Sequence, residues 1–184
     1  MKNIFTITII IFVFSAVMLI GPNPAAAATA EELNREADQD LQTLCDKVNL
    51  ARMLSKEAKG ILVFPSIVKA GLVVGAQYGE GVLMKEGKPA AYYRTTSASY
   101  GLQAGIQEYS YALFFMTDSA MNYLEKSKGW ELGVGPSIVV VDMGAAKSLT
   151  TTTAKSDIYA FFFDQKGLMA GLGLQGTKIT KISK

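Results

Sequence analysis

The chain has 184 residues, with eighteen Lys and Arg against sixteen Asp and Glu, a single cysteine and no histidine. Without histidine there is no imidazole acid–base catalysis, no Ser-His nucleophile and none of the commonest metal ligand, and one cysteine makes neither an internal disulfide nor a thiolate metal cluster. All sixteen acids and seventeen of the bases lie beyond Ala30, so the domain that follows is close to neutral and makes no case for nucleic acid as a partner.

Residues 1–30 have the layout of a secretory signal peptide: Lys2, an apolar run over 4–20, then small residues in which Ala28, Thr29 and Ala30 fit a small-x-small cleavage site. They predict an exported protein, periplasmic or secreted, with a single domain over 31–184; an uncleaved N-terminal anchor is the alternative. Cys45 lies far beyond the apolar run and inside a helical pattern, which rules out a lipid anchor there and makes it a small buried apolar residue.

Over 31–59, Leu33, Ala37, Leu41, Leu44, Val48, Ala51 and Leu54 recur at spacings of three and four, one apolar stripe along a helix. Acids crowd its first part (Glu31, Glu32, Glu36, Asp38, Asp40) and bases its last (Lys47, Arg52, Lys56, Lys59), the order that suits a helix dipole. Asn49, a good cap, predicts a break into two helices, and Gly60 a stop. The stripe predicts a helix docked on a sheet; a basic helix on a membrane surface is the sharper alternative.

Strand patterns follow over 61–64, 69–78, 81–85, 90–96, 100–109 and 111–117, with a turn at 86–89. Thr117 is placed to cap a short helix over 118–128. Strands resume over 130–134, 137–143, 149–154, 158–163, 168–174 and 177–182, with 165–167 expected as a hairpin tip. Read at period two, Gly71, Gly75, Gln77, Gly79 and Gly81 share a face, as do Gly101, Gln103, Gly105 and Gln107, then Gly133 and Gly135, then Gly167, Gly171, Gly173 and Gln175. Four stretches with one small or amide face and one aliphatic face predict an α+β domain: N-terminal helices packed on a strongly curled, antiparallel, barrel-like sheet, with one short helix near 118–128. The glycines are then makers of the fold rather than a ligand loop. The strands are short and the first third is helical, which does not fit a membrane-spanning barrel.

Short motifs for chemistry fail. GLGLQG at 171–176 matches a dinucleotide fingerprint but has only eight residues after it and no helix to receive a pyrophosphate. Asp142, Asp157, Asp164 and Glu131 fall at strand ends or turns, where a solvated acid is ordinary. Thr150 to Thr153 read as an edge strand. The apolar runs 111–116 and 161–163 read as core, or as the lining of an apolar ligand site. No enzyme activity, cofactor or metal is expected.

The stretches AKGILVFPSIVKAGLVVGAQYGEGVLM, SYGLQAGIQEYSYALFFMTDSAMNYL, GWELGVGPSIVVVDMG and GLMAGLGLQGTKI, in this order over residues 40–182, resemble the SYLF domain family, the lipid-binding or Las17-binding actin-regulator domain, in its secreted bacterial branch. The resemblance implies binding to lipid membranes, in eukaryotic members to phosphoinositides, and there also to actin filaments. Those members carry SH3 or FYVE modules, which this chain lacks, so the partner expected is an anionic phospholipid surface in the cell envelope rather than actin. The family's amphipathic N-terminal helix implies lipid contacts at Lys47, Arg52, Lys56 and Lys59, and the VKAG stretch implies Lys69. The alternatives are an envelope structural or protein-interaction module with a protein partner, and a carrier of an apolar ligand inside the curled sheet.

Overall fold

The computed structural model describes residues 28–71, 74–100, 105–141, 156–167 and 176–184. The readings of 1–27, of the strands 149–154 and 168–174, and of Asp142 lie outside them. Helices α1 (Ala30–Lys47) and α2 (Asn49–Leu54) lead into strands β1 (Gly60–Gly71), β2 (Val74–Lys85), β3 (Lys88–Tyr100) and β4 (Gly105–Phe115). Helix α3 (Asp118–Lys126) follows, then β5 (Trp130–Glu131), β6 (Ile138–Val141), β7 (Ile158–Gly167) and β8 (Thr177–Ile182). One sheet takes all eight strands in the order β5-β8-β3-β2-β1-β4-β7-β6. Among the described residues every pairing is antiparallel except β6 with β7, which is parallel.

Local chemistry explains the boundaries. Thr29 and Glu32 form a reciprocal capping box at the start of α1. The helix breaks at Val48, one residue before the expected cap; Asn49 instead begins α2 and accepts from the Arg52 guanidinium at 2.6 Å. The second helix ends at Leu54, well short of Gly60, which opens β1 instead. Glu86 and Gly87, at φ 50° and 73°, make the two-residue turn between β2 and β3 with the handedness a twisted hairpin requires. The stretch 69–78, expected as one strand, is two: β1 and β2 run antiparallel with Gly71 opposite Gly75. Two glycines at the end of a hairpin mimic the period-two pattern of a continuous strand. Residues 165–167, expected as a hairpin tip, continue β7 beside β4, with Lys166 opposite Glu108 and Gly167 opposite Gln107.

The sheet curls. Tyr111 on β4 donates its hydroxyl to Thr95 Oγ1 on β3 at 2.8 Å, although these strands lie three places apart. Three flat inter-strand steps would separate them by about 14 Å. Likewise the rings of Phe115 on β4 and Trp130 on β5, five places apart, have centroids 5.9 Å from each other. The concave face therefore encloses one core, with Leu62, Phe64, Ile67, Leu83, Tyr111 and Trp130 inside and α3 plugging one end through Ala120, Met121 and Leu124. The convex face carries a second core, in which Leu33, Leu44, Leu50 and Leu54 of the helices cover Val63, Val82, Phe114 and Phe161. Both faces of β4 are buried here, which is why 111–115 reads as an unbroken apolar run.

Pro65 sets the curvature of β1. It has no N–H for the ladder, and the register slips beside it against both neighbours, between Val63 and Ser66 on β2 and between Phe64 and Ile67 on β4. Phe64 and Ile67 then lie across Gly81 and Gly79 of β2: a Cβ on Gly81 would stand 2.5 Å from Val63 O and 2.6 Å from Phe64 Cδ1. The expected role of these glycines, space where backbones crowd, is what the structure shows.

Asp157 is a clamp rather than a solvated acid. Its carboxylate accepts from Ser137 N–H at 3.0 Å, Ser137 Oγ at 2.8 Å and Thr117 Oγ1 at 3.1 Å, joining the starts of β6, β7 and α3. Hydrogen bonds from the Ser137 hydroxyl, the Ser137 backbone and Thr117 hold its pKa below the ordinary 3.8. A depressed carboxyl pKa supplies stability that is present above the unfolded-state value and lost as pH falls through the folded one. Asp157→Asn is expected to lower stability at pH 7 by about 1–2 kcal/mol and to flatten the loss of stability below pH 4 or so, measured by urea unfolding between pH 3 and 7.

Candidate functional site

Three surfaces have chemistry to offer. The first is a cleft of about 440 Å³ where both β1 and β4 are bulged, bordered by Asp40 of α1, Pro65, Glu108, Ser110, Asp164 and Lys166. Ser110 Oγ donates to Pro65 O at 2.6 Å, and Ser66 Oγ to Glu108 at 3.1 Å. Burial pushes the Asp40 carboxyl up against a hydrogen bond from Ser110, and the charges of Asp164 and Glu36 raise it further. Lys47 bridges to Asp164 across 3.4 Å. Among the described residues no group of three His, Cys, Asp or Glu side chains has the geometry to hold a metal.

The second surface is the half of the convex face that the helices leave uncovered. Side chains alternate along each strand, so Val68 and Ala70 of β1, Val74, Ala76 and Tyr78 of β2, Ala98 of β3 and Ile106 of β4 all point outward. The register makes them neighbours: Val68 faces Tyr78, and Ala70 lies between Ala76 and Ile106. Ile106 is 69% exposed and Val74 64%. The exposed cations Arg94 and Lys178 flank one side of this patch, with the Arg94 guanidinium 5.7 Å from the Tyr78 ring centre; on the other side Glu108 lies opposite Val68, with Lys166 beyond it.

The third lies on the concave side. Thr177 of β8, Ser97 of β3, Gln77 of β2, Lys69 of β1 and Gln107 of β4 are consecutive register partners and form one polar row across five strands. All but the partly buried Ser97 are buried.

The five cations implied by the family resemblance divide between these surfaces. Lys47, Arg52, Lys56 and Lys59 are exposed along the connection from α1 to β1. Lys47 meets Asp164 of β7, and Lys59 meets Asp118 of α3 at 4.0 Å, so the two extremes of the quartet face carboxylates on different elements. Lys69 is 8% exposed on the opposite face of the sheet, separated from the quartet by the sheet itself. The bare apolar patch is not legible in the sequence because its residues come from four strands, two of them a hairpin whose pattern reads as one strand. The alternation Val74, Ala76, Tyr78 opposite Gly75, Gln77, Gly79 was the available signal; only knowledge of which face the helices cover turns it into a surface.

A curled sheet with helices on its back and bare side chains beyond them defines an α+β domain with an exposed apolar face. Residues 96–184, from the end of β3 through β8, match the family model described as Ysc84: Las17-binding protein actin regulator. This match to the Ysc84 (SYLF) model bears out the resemblance seen in the residues. No curated protein matches the chain. Among the described residues no helix is long and apolar enough to cross a membrane.

Proposed function

We propose that this chain is a non-enzymatic domain of the cell envelope that attaches to anionic phospholipid surfaces through the bare half of its convex face. The observation that carries this reading is the contiguous outward set Val68, Ala70, Val74, Ala76, Tyr78, Ala98 and Ile106, with Arg94 and Lys178 at one margin and Lys166 beyond Glu108 at the other. Contiguous exposed apolar surface rimmed by charge marks an interaction site. Apolar side chains gain by leaving water, and each Lys or Arg near an anionic surface adds about 1 kcal/mol that salt screens. The apolar stretch and small residues of 1–30 support export, and the match of residues 96–184 to the SYLF family model supports lipid or protein contact.

The test is co-sedimentation of residues 28–184, which leaves out the N-terminal apolar run, with phosphatidylglycerol and phosphatidylcholine vesicles at two salt concentrations. Pelleting is expected with the anionic vesicles and to weaken with salt. Combined Val68→Asp and Ile106→Asp should lower the bound fraction about tenfold or more with an unchanged melting temperature. Reversal of Lys47, Arg52, Lys56 and Lys59 should have the smaller effect, because Lys47 and Lys59 already face carboxylates. Loss on reversing that quartet alone would move the contact to the helices. No pelleting with either vesicle, together with a stoichiometric protein crosslinked at Ile106, would make this face a protein contact instead.

A further inference from the structure

The two ends of the described domain are tied together on the convex face. Lys184 Nζ donates to Ala28 O and pairs with the Glu80 carboxylate, both charged side chains being only 10% exposed. Glu80 follows Tyr78 on the outward side of β2, and the Tyr78 hydroxyl donates to its other oxygen at 2.8 Å, so this clasp stands where the helix-covered half of the face meets the bare half. One residue further, Thr29 caps α1. Its hydroxyl accepts from Glu32 N–H at 3.2 Å, its own N–H donates to the Glu32 carboxylate at 3.0 Å, and its carbonyl accepts from Leu33 N–H at 3.0 Å. Hydrogen bonds from the Thr29 backbone and hydroxyl hold the Glu32 carboxyl below its ordinary 4.5. Ala30 is the first residue of the helix, and Ala28 packs partly buried against the convex core. The fold thus uses the same Ala28, Thr29 and Ala30 that the sequence offers as the end of an export segment.

Small residues three places and one place before a cut are supplied equally by Ala25 with Ala27, Ala26 with Ala28, and Ala28 with Ala30. The three cuts leave different domains. A chain beginning at Glu31 has neither the Thr29 cap nor the carbonyl that Lys184 holds, and the bond broken lies in the first turn of α1 rather than in extended chain. A chain beginning at Thr29 keeps the cap and loses the Lys184 contact. We propose that an export peptidase cuts between Ala27 and Ala28, so that Ala28 is the N-terminus of the mature protein. Water adds across that peptide bond, Ala27 leaves as a carboxylate and Ala28 keeps an ammonium group. This cut rests on the reading of the chain as an exported envelope protein. The new ammonium belongs to the residue that Lys184 holds beside Glu80, so processing adds positive charge at the Tyr78 end of the apolar patch, the face proposed to meet anionic phospholipid.

The full-length chain is expressed in an exporting bacterial host, and the product is read by intact mass and N-terminal sequencing. A chain beginning at Ala28 is expected; one beginning at Thr29 or Glu31 overturns the proposal. A chain still beginning at Met1 in the envelope overturns the cut and leaves the envelope reading standing, whereas one retained in the cytoplasm overturns both. Combined Ala26→Leu and Ala27→Leu leaves only the cut after Ala30 open, and is expected to slow conversion of the precursor about tenfold or more in a pulse-chase. Ala30→Leu closes that last cut and should convert as the parent does; the reverse pattern overturns the proposal. The purified domain beginning at Ala28 is expected to melt about 3 °C or more above one beginning at Glu31. Lys184→Met should lower the melting temperature more in the longer form, which alone has the Ala28 carbonyl. Equal melting temperatures for the two forms would remove the clasp and cap as a reason for the cut and overturn it.

Discussion

Gly81→Val is expected to abolish the folded state, and Gly81→Ala to cost about 3 kcal/mol. The reason lies across the strand pair rather than in glycine's own flexibility. A Cβ at residue 81 would sit 2.5 Å from the carbonyl oxygen of Val63, a backbone atom fixed by ladder bonds to β2 and β4, and 2.6 Å from the Phe64 ring. Ala would stiffen the unfolded chain and return only about 0.4–1 kcal/mol, too little to change the sign. Gly87→Asn is the contrast. Its φ of 73° is one that Asn adopts in a two-residue turn, and nothing lies within 4 Å of its Cβ position, so stability should stay within about 0.5 kcal/mol. Guanidinium unfolding of the three variants against the parent measures the difference. Equal losses at 81 and 87 would mean that the glycines serve the turn and not the bulge.

The same geometry shows why some of this architecture was readable from residue order and some was not. The apolar helix stripe from Leu33 to Leu54, the Thr117 cap and the turn at 86–87 are local and appear close to where their residues place them, although the second helix stops at Leu54 rather than at Gly60. Curling was inferred from faces of small residues, and Phe64 and Ile67 packed over Gly81 and Gly79 are its physical cause. What failed was what depends on partners. The hairpin between Gly71 and Val74 was lost because glycine at 71 and 75 keeps the parity of a single strand. The parallel pairing of β6 with β7 needs a connection whose path residue types do not encode.

The resemblance implies both the quartet and Lys69 of the VKAG stretch, and alternation along β1 puts Lys69 on the hollow side while the helices cover the back. Val68 and Lys69, adjacent in the chain, therefore belong to opposite surfaces. Gln77 and Gln107 stood out in sequence only as members of glycine faces; the register places Lys69 between them.

Trp130→Ala is expected to cost about 3–5 kcal/mol and to loosen one side of the sheet in particular. Trp130 is 2% exposed and belongs to β5, a strand of two residues held, among the described residues, by β8 alone. So short a strand has little ladder to keep it in place, and its attachment depends on the indole. The ring meets Phe115 at 5.9 Å and Tyr123 at 6.2 Å, and its N–H donates to Val134 O at 2.9 Å. The indole thus joins β5 at one edge to β4 across the hollow and to α3 at its end. Removing it takes away both the aromatic area and the cross-hollow contact that accompanies the curl. Hydrogen exchange should then show protection lost in β5, β8 and α3 while the pairing of β1 with β2 and β4 persists, because those strands keep their own ladder and the helices behind them. Trp130→Phe keeps the ring contacts and loses the hydrogen bond to Val134, so it should recover most of the protection. Uniform loss across all strands in Trp130→Ala would mean that the hollow and the helix-covered back unfold as one unit.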